Sequence, residues 1–153
     1  MSVTHADFTI ERRFGCTPRE TFSGFADARL KRQWFAVPAD WTDAEWALDF
    51  RVGGGEVNRG GSPNGIYNAF ESRFHDIVDN ERIVFAYDLL QDHRLISVSL
   101  TTIEFFPDGD GTRLLFTEQG AFFDELDSPA AREHGTGKQL EALRRLLAGE
   151  PVR

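Results

Sequence analysis

Residues 82–121 read RIVFAYDLLQDHRLISVSLTTIEFFPDGDGTRLLFTEQGA, and this stretch decides the fold. Three runs, Arg82 to Leu90, Leu95 to Phe106 and Thr112 to Ala121, are rich in the β-branched and aromatic residues that suit a pleated surface. Between them, Gln91-Asp92-His93 and Asp108-Gly109-Asp110-Gly111 supply turn chemistry. Links this short join antiparallel neighbours, because parallel strands need crossovers of roughly a dozen residues.

Working towards the N-terminus, Ile66 to Val78 is another strand, followed by the turn Asp79-Asn80-Glu81. From Glu45 onward Trp46, Leu48 and Phe50 alternate with Ala47, Asp49 and Arg51, which predicts a strand. Gly53-Gly54-Gly55 then makes a hairpin reversal, and Gly60 to Gly65 makes another turn. Phe8, Ile10 and Phe14 fall on one face of a first strand, Asp7 to Phe14, with Arg12 interrupting that face. Thr17-Pro18-Arg19-Glu20 combines an N-cap Thr, Pro at the first helical position and Glu three residues after the cap, so a helix starts there. Phe22, Phe25 and Ala26 give it an apolar face. Asp27 to Phe35 is a second short helix, ended by Pro38. Cys16 reads as a small residue at a strand end, and a lone cysteine leaves no intrachain disulfide.

Towards the C-terminus, Ser128 caps a long helix with Pro129 at its first position, and Thr136, Leu140, Leu143 and Leu147 recur on one helical face. Gly135 and Gly137 weaken its middle by about 1 kcal/mol each relative to Ala, so a packing reason is expected for them. The predicted architecture is α+β: a bent antiparallel sheet of about seven strands wrapped around one long C-terminal helix, with two short helices after the first strand. The expected domain is single and spans residues 1–153, with its core at about 8–147.

Composition restricts the function. The 153 residues carry 17 Lys and Arg against 25 Asp and Glu, a net charge of −8. A nucleic-acid partner is therefore not expected, since phosphate affinity rests on clustered cations, and Arg29-Leu30-Lys31-Arg32 is too short a run to reverse this. No apolar stretch approaches the roughly 20 residues of a membrane span, and Met1 to Asp7 lacks the regions of a signal peptide, so a cytoplasmic location is expected. The four histidines and one cysteine have no metal-ligand spacing, and Gly53-Gly54-Gly55 does not match a dinucleotide fingerprint. Neither a metal nor another cofactor is expected.

The chain resembles the START-like, or SRPBCC, helix-grip superfamily, and within it the branch named after the activator of the heat-shock protein 90 ATPase. The matching residues are Thr17-Pro18-Arg19-Glu20 with Phe22, Trp34, Phe50-Arg51-Val52-Gly53-Gly54 and Asp79-Asn80-Glu81-Arg82-Ile83. Gly111-Thr112-Arg113-Leu114, Phe116-Thr117-Glu118-Gln119-Gly120, Leu140 and Leu143 continue the pattern. The resemblance implies an apolar cavity between sheet and helix that holds lipids, hormones or polyketides in related proteins. Two positions depart from it: Thr136 stands where relatives usually carry Trp, and Glu118 stands where His is often found.

Fourteen phenylalanines and three tryptophans supply walls for such a cavity. The candidate ligand-binding residues are Trp34, Trp46, Phe50, Phe70, Phe85, Tyr87, Ser97, Ser99, Phe116, Glu118, Phe122, Thr136, Leu140 and Leu143. Glu118 follows Leu114 and Phe116 at period two, and either faces inward with Tyr87, Ser97 or Ser99 as partner or reaches solvent at the rim. Thr136 leaves space that either becomes an entrance or is filled by Phe122 or Phe123. The first functional reading is a monomeric or homodimeric binder of a small apolar or amphipathic molecule. The alternatives are a cyclase, dehydratase or hydrolase using Glu118 as acid or base with Tyr87 beside it, and a chaperone-associated or regulatory interaction module.

Overall fold

The computed structural model describes residues 1–152. The chain runs β1 (Val3–Phe14), α1 (Pro18–Ala26), α2 (Ala28–Phe35), β2 (Thr42–Leu48), β3 (Gly55–Gly61), β4 (Tyr67–Val78), β5 (Arg82–Gln91), β6 (Arg94–Asp108), β7 (Gly111–Phe123) and α3 (Pro129–Leu147). All seven strands form one antiparallel sheet in the order β1-β7-β6-β5-β4-β3-β2. The three helices pack on it, and the fold is α+β of the helix-grip kind.

Local chemistry sets the helices. Thr17 accepts a hydrogen bond from the Glu20 amide while the Glu20 side chain reaches back to the Thr17 amide, which completes the capping box. Asp27 ends α1 and caps α2 through the Arg29 amide. Ser128 caps α3 through the Ala131 amide.

One sheet face is buried. Phe8, Ile10 and Phe14 of β1, Ile83 of β5, Ile103 and Phe105 of β6 and Leu114 and Phe116 of β7 meet Leu140 and Leu143 of α3 there. Phe22 and Phe25 of α1 pack edge-on against Phe105, with ring centroids 5.4 and 5.6 Å apart. Irregular pairing skips His75 of β4 opposite β5 and Ile96 of β6 opposite Leu89 and Leu90, which gives β4 and β6 the bulges that bend a sheet.

The strand predicted through Arg51 ends at Leu48 instead. Asp49 to Gly54 form a turn in which Gly53 adopts a φ of +85° and an added Cβ on Gly54 would come within 2.3 Å of the Asp49 carbonyl oxygen. Phe50 leaves the strand there and packs edge-on against Phe22 and Phe74. Of the two helical glycines, an added Cβ on Gly137 would approach Arg12 Nη2 at 3.2 Å, whereas one on Gly135 would meet nothing within 4 Å. Gly135 therefore has no packing requirement, contrary to the expectation for it.

Candidate functional site

A recess lies between the sheet and α3. Trp34, Phe70, Phe85, Tyr87, Phe116, Glu118, Thr136 and Leu140 line it, together with Phe25, Lys31, Phe35, Ile103 and Gln139. Its interior volume is about 50 Å³, the space of one or two waters. Phe35, Phe70, Tyr87, Thr136 and Gln139 also line a neighbouring groove of about 380 Å³, whose other walls include Trp41, Asn58, Asp127, Arg132 and Gly135. Thr136 lines both, so recess and groove adjoin there.

The other candidates lie elsewhere. Trp46 sits on the edge strand β2, where its indole donates to Glu56 Oε2 at 2.9 Å and its ring lines a separate surface depression beside Pro38 and Asp40. Phe50 and Leu143 belong to the packed core. Phe122 is buried 5.1 Å from the Arg132 guanidinium. Ser97 and Ser99 face the guanidinium as well, outside the recess wall.

Glu118 is buried, its side chain 2% exposed. Tyr87 Oη donates to its Oε2 at 2.9 Å, and Thr101 Oγ1 donates to Oε1 at 3.3 Å. The third partner was absent from the sequence reading. Arg132 Nη1 donates to Tyr87 Oη at 2.7 Å and to Glu118 Oε2 at 3.2 Å, while Nη2 donates to Ser97 Oγ at 2.7 Å and to Asp127 Oδ2 at 2.6 Å. Arg132 lies one helical turn after Ser128 and one before Thr136, so the stripe through Thr136 and Leu140 extends to it. An arginine on that stripe was the available signal. A second buried ion pair, Lys31 with Glu56, was also missed. Its signal was Lys31 preceding Trp34 and Phe35 at helical spacings of three and four.

Burial pulls the Arg132 guanidinium down, but Tyr87, the hydrogen bond to Asp127 and the charge of Glu118 outweigh it and hold it above the ordinary range. Burial, reinforced by the neighbouring Glu118 charge, pushes the Tyr87 phenol well above its ordinary value. Unfolded chains release that proton near pH 10, whereas the folded chain keeps it, so stability is lost as pH rises above about 10. Urea midpoints between about pH 9 and 11 should fall more steeply for the natural chain than for Tyr87→Phe. Equal slopes would contradict this environment for Tyr87.

Among the described residues, no cluster of three or more His, Cys, Asp or Glu is placed to hold a metal, and no helix is long and apolar enough to cross a membrane. Cys16 is half-buried with its Sγ 3.3 Å from Thr21 Oγ1.

The sheet, the gripping helix and the recess between them place the molecule in the START-like class. The sequence pattern of the family described as "Activator of Hsp90 ATPase homolog 1-like protein" matches residues 16–148, and the chain belongs to that family. The Mll3558 protein of Rhizobium loti is 49% identical, with 94% of this chain and 98% of that one aligned and a TM-score of 0.87. An uncharacterized protein from Rhizobium leguminosarum is 37% identical, with 97% and 98% aligned and a TM-score of 0.91. Protein CV1439 of Chromobacterium violaceum, 24% identical over 92% of this chain and 96% of its own, shares the fold at a TM-score of 0.75. No curated protein matches the chain. Membership of the family points to a ligand-binding or regulatory role.

Proposed function

We propose that the protein binds a small apolar or amphipathic molecule in the recess and its groove, with the Tyr87, Glu118 and Arg132 cluster meeting the polar end. The observation that carries this reading is the position of the cluster: a carboxylate, a guanidinium and a phenol, each hydrogen-bonded, stand where an aromatic recess meets a groove open to solvent. A few placed polar groups among apolar walls are the pattern of small-molecule sites. As a stability device alone a buried ion pair is a poor choice, since an apolar replacement often serves as well. The inner 50 Å³ is too small for a whole ligand, so the body occupies the groove and one end reaches inward. Both Glu118 oxygens already accept hydrogen bonds, which suits an anchor better than an acid or base that must exchange protons with a substrate.

Calorimetric titration with 1-naphthol tests the reading. Saturable binding with a negative heat-capacity change is expected, the mark of apolar burial. Thr136→Trp fills the junction of recess and groove, so it should weaken 1-naphthol by about tenfold or more, about 1.4 kcal/mol, while leaving the fold at least as stable. No binding up to about 1 mM, or unchanged affinity in a folded Thr136→Trp protein, would end it.

A further inference from the structure

We propose that Lys31 is a second anchor of the recess, donating a hydrogen bond to an uncharged carbonyl oxygen of the ligand; this rests on the binding reading above. Lysine occurs in this sequence only at 31 and 138, and every other basic position is arginine. Arginine is the usual residue of buried ion pairs, because its fork matches a carboxylate at two points. At position 31 the chain departs from its own habit. The Lys31 side chain is 7% exposed and lines the recess.

Its ammonium has three N–H donors. One goes to Glu56 Oε1 at 2.7 Å, and this is its one hydrogen bond among the described residues. Nζ otherwise stands over aromatic faces, 4.4 Å from the Phe35 centroid, 5.3 Å from Trp34 and 5.8 Å from Phe25. Two donors are thus left for a group that enters the recess. The other Glu56 oxygen, Oε2, accepts from the Trp46 indole.

Charge selects the class of ligand. Glu56 already neutralises Lys31, so a carboxylate brought to Nζ would stand beside the Glu56 carboxylate. At the other pole Arg132 faces both Glu118 and Asp127, two negative groups on one positive. Neither pole has positive charge to spare. A ketone, quinone or ester oxygen accepts a hydrogen bond without bringing charge, whereas a fatty acid would have to be buried against like charges. The rings of Phe35, Phe70 and Tyr87 run from one pole to the other, with successive centroids 5.0 and 4.6 Å apart. They match an apolar, preferably flat, ligand body.

The test uses 6-propionyl-2-(dimethylamino)naphthalene, whose emission moves to longer wavelength when its carbonyl accepts a hydrogen bond. It is compared with 2-(dimethylamino)naphthalene, which lacks the carbonyl, and 6-(dimethylamino)-2-naphthoate, which carries a carboxylate. The natural chain should bind the ketone about tenfold or more tighter than either relative, the range of one hydrogen bond to a charged donor. The bound ketone should emit at the red-shifted position, a reading that needs no variant. Lys31→Met is paired with Glu56→Gln so that no charge is left buried alone. In that double variant the ketone's advantage over the carbonyl-free compound should vanish, the ratio of the two affinities being read within the one protein. If the natural chain binds the ketone without the red shift, prefers the carboxylate, or keeps its ketone preference in the double variant, the Lys31 assignment is overturned while the recess remains a binding site. If none of the three compounds binds while 1-naphthol does, the Lys31 assignment alone falls; if 1-naphthol does not bind either, the binding reading itself falls and this inference with it.

Discussion

Arg132→Met is expected to destabilise the protein by about 3–5 kcal/mol, the penalty for removing one partner of a buried pair and leaving the other charge in place. Glu118 would keep only the hydroxyls of Tyr87 and Thr101, in a site where its side chain is 2% exposed. Ser97 and Asp127 would lose the donor they share. For a chain of this size the melting temperature should fall by roughly 6–20 °C. Adding Glu118→Gln removes the stranded charge and should restore most of the loss, giving a coupling well above 1 kcal/mol in a double-mutant cycle. Urea midpoints of the four proteins provide the measurement. A cost below about 1 kcal/mol for Arg132→Met would mean that solvent reaches Glu118 and that the site is not the closed cluster described above.

The second large effect concerns the contact between α1 and α3. Leu143 is fully buried, and an added Cβ on Gly24 would lie 2.6 Å from Leu143 Cδ1. Leu143→Ala should cost about 2–5 kcal/mol, the range for a buried leucine whose cavity only partly collapses. Gly24→Ala alone overpacks the same spot, with a cost of about 1–3 kcal/mol reduced by the better helix propensity of alanine. In the Leu143→Ala background the new methyl group enters the vacated space. The double variant should therefore be more stable than Leu143→Ala alone, an inversion of sign that thermal denaturation reads directly. Additive losses would show that the two helices do not touch at this point.

Most of the fold was legible because its signals are local. Alternation fixed the inward faces of β1, β5, β6 and β7, and Thr17, Asp27 and Ser128 announced the helix starts. The Glu118 to Tyr87 pairing was within reach for the same reason, since each shares a period-two face with apolar neighbours. β3 offered no such guide. Its buried face is Glu56, Asn58 and Gly60, so hydrophobic alternation pointed nowhere and the Lys31 to Glu56 pair went unseen. Trp46 was misplaced because β2 is a mostly exposed edge strand, where a tryptophan can lie against a neighbouring carboxylate instead of a cavity wall. Arg132 was hidden by its own chemistry: a charged residue on a helix is ordinarily read as facing water, and only the partners brought by β5, β6 and the loop before α3 reverse that.

The pairing of β1 with β7 has a consequence for how the chain is made. Strands β2 to β7 form a meander in which each pairs with its neighbour in sequence, so hairpins can close one after another as the ribosome releases them. β1 leaves the ribosome first, yet its partner is the last strand, with Val3 opposite Phe123. Its apolar residues Phe8, Ile10 and Phe14 therefore wait without their sheet neighbours until β7 appears. Long-range pairing of this kind slows folding and prolongs the exposure of strand edges. The charged residues Asp7, Glu11, Arg12 and Arg13, interleaved along β1, are placed to keep that waiting strand from joining the wrong partner.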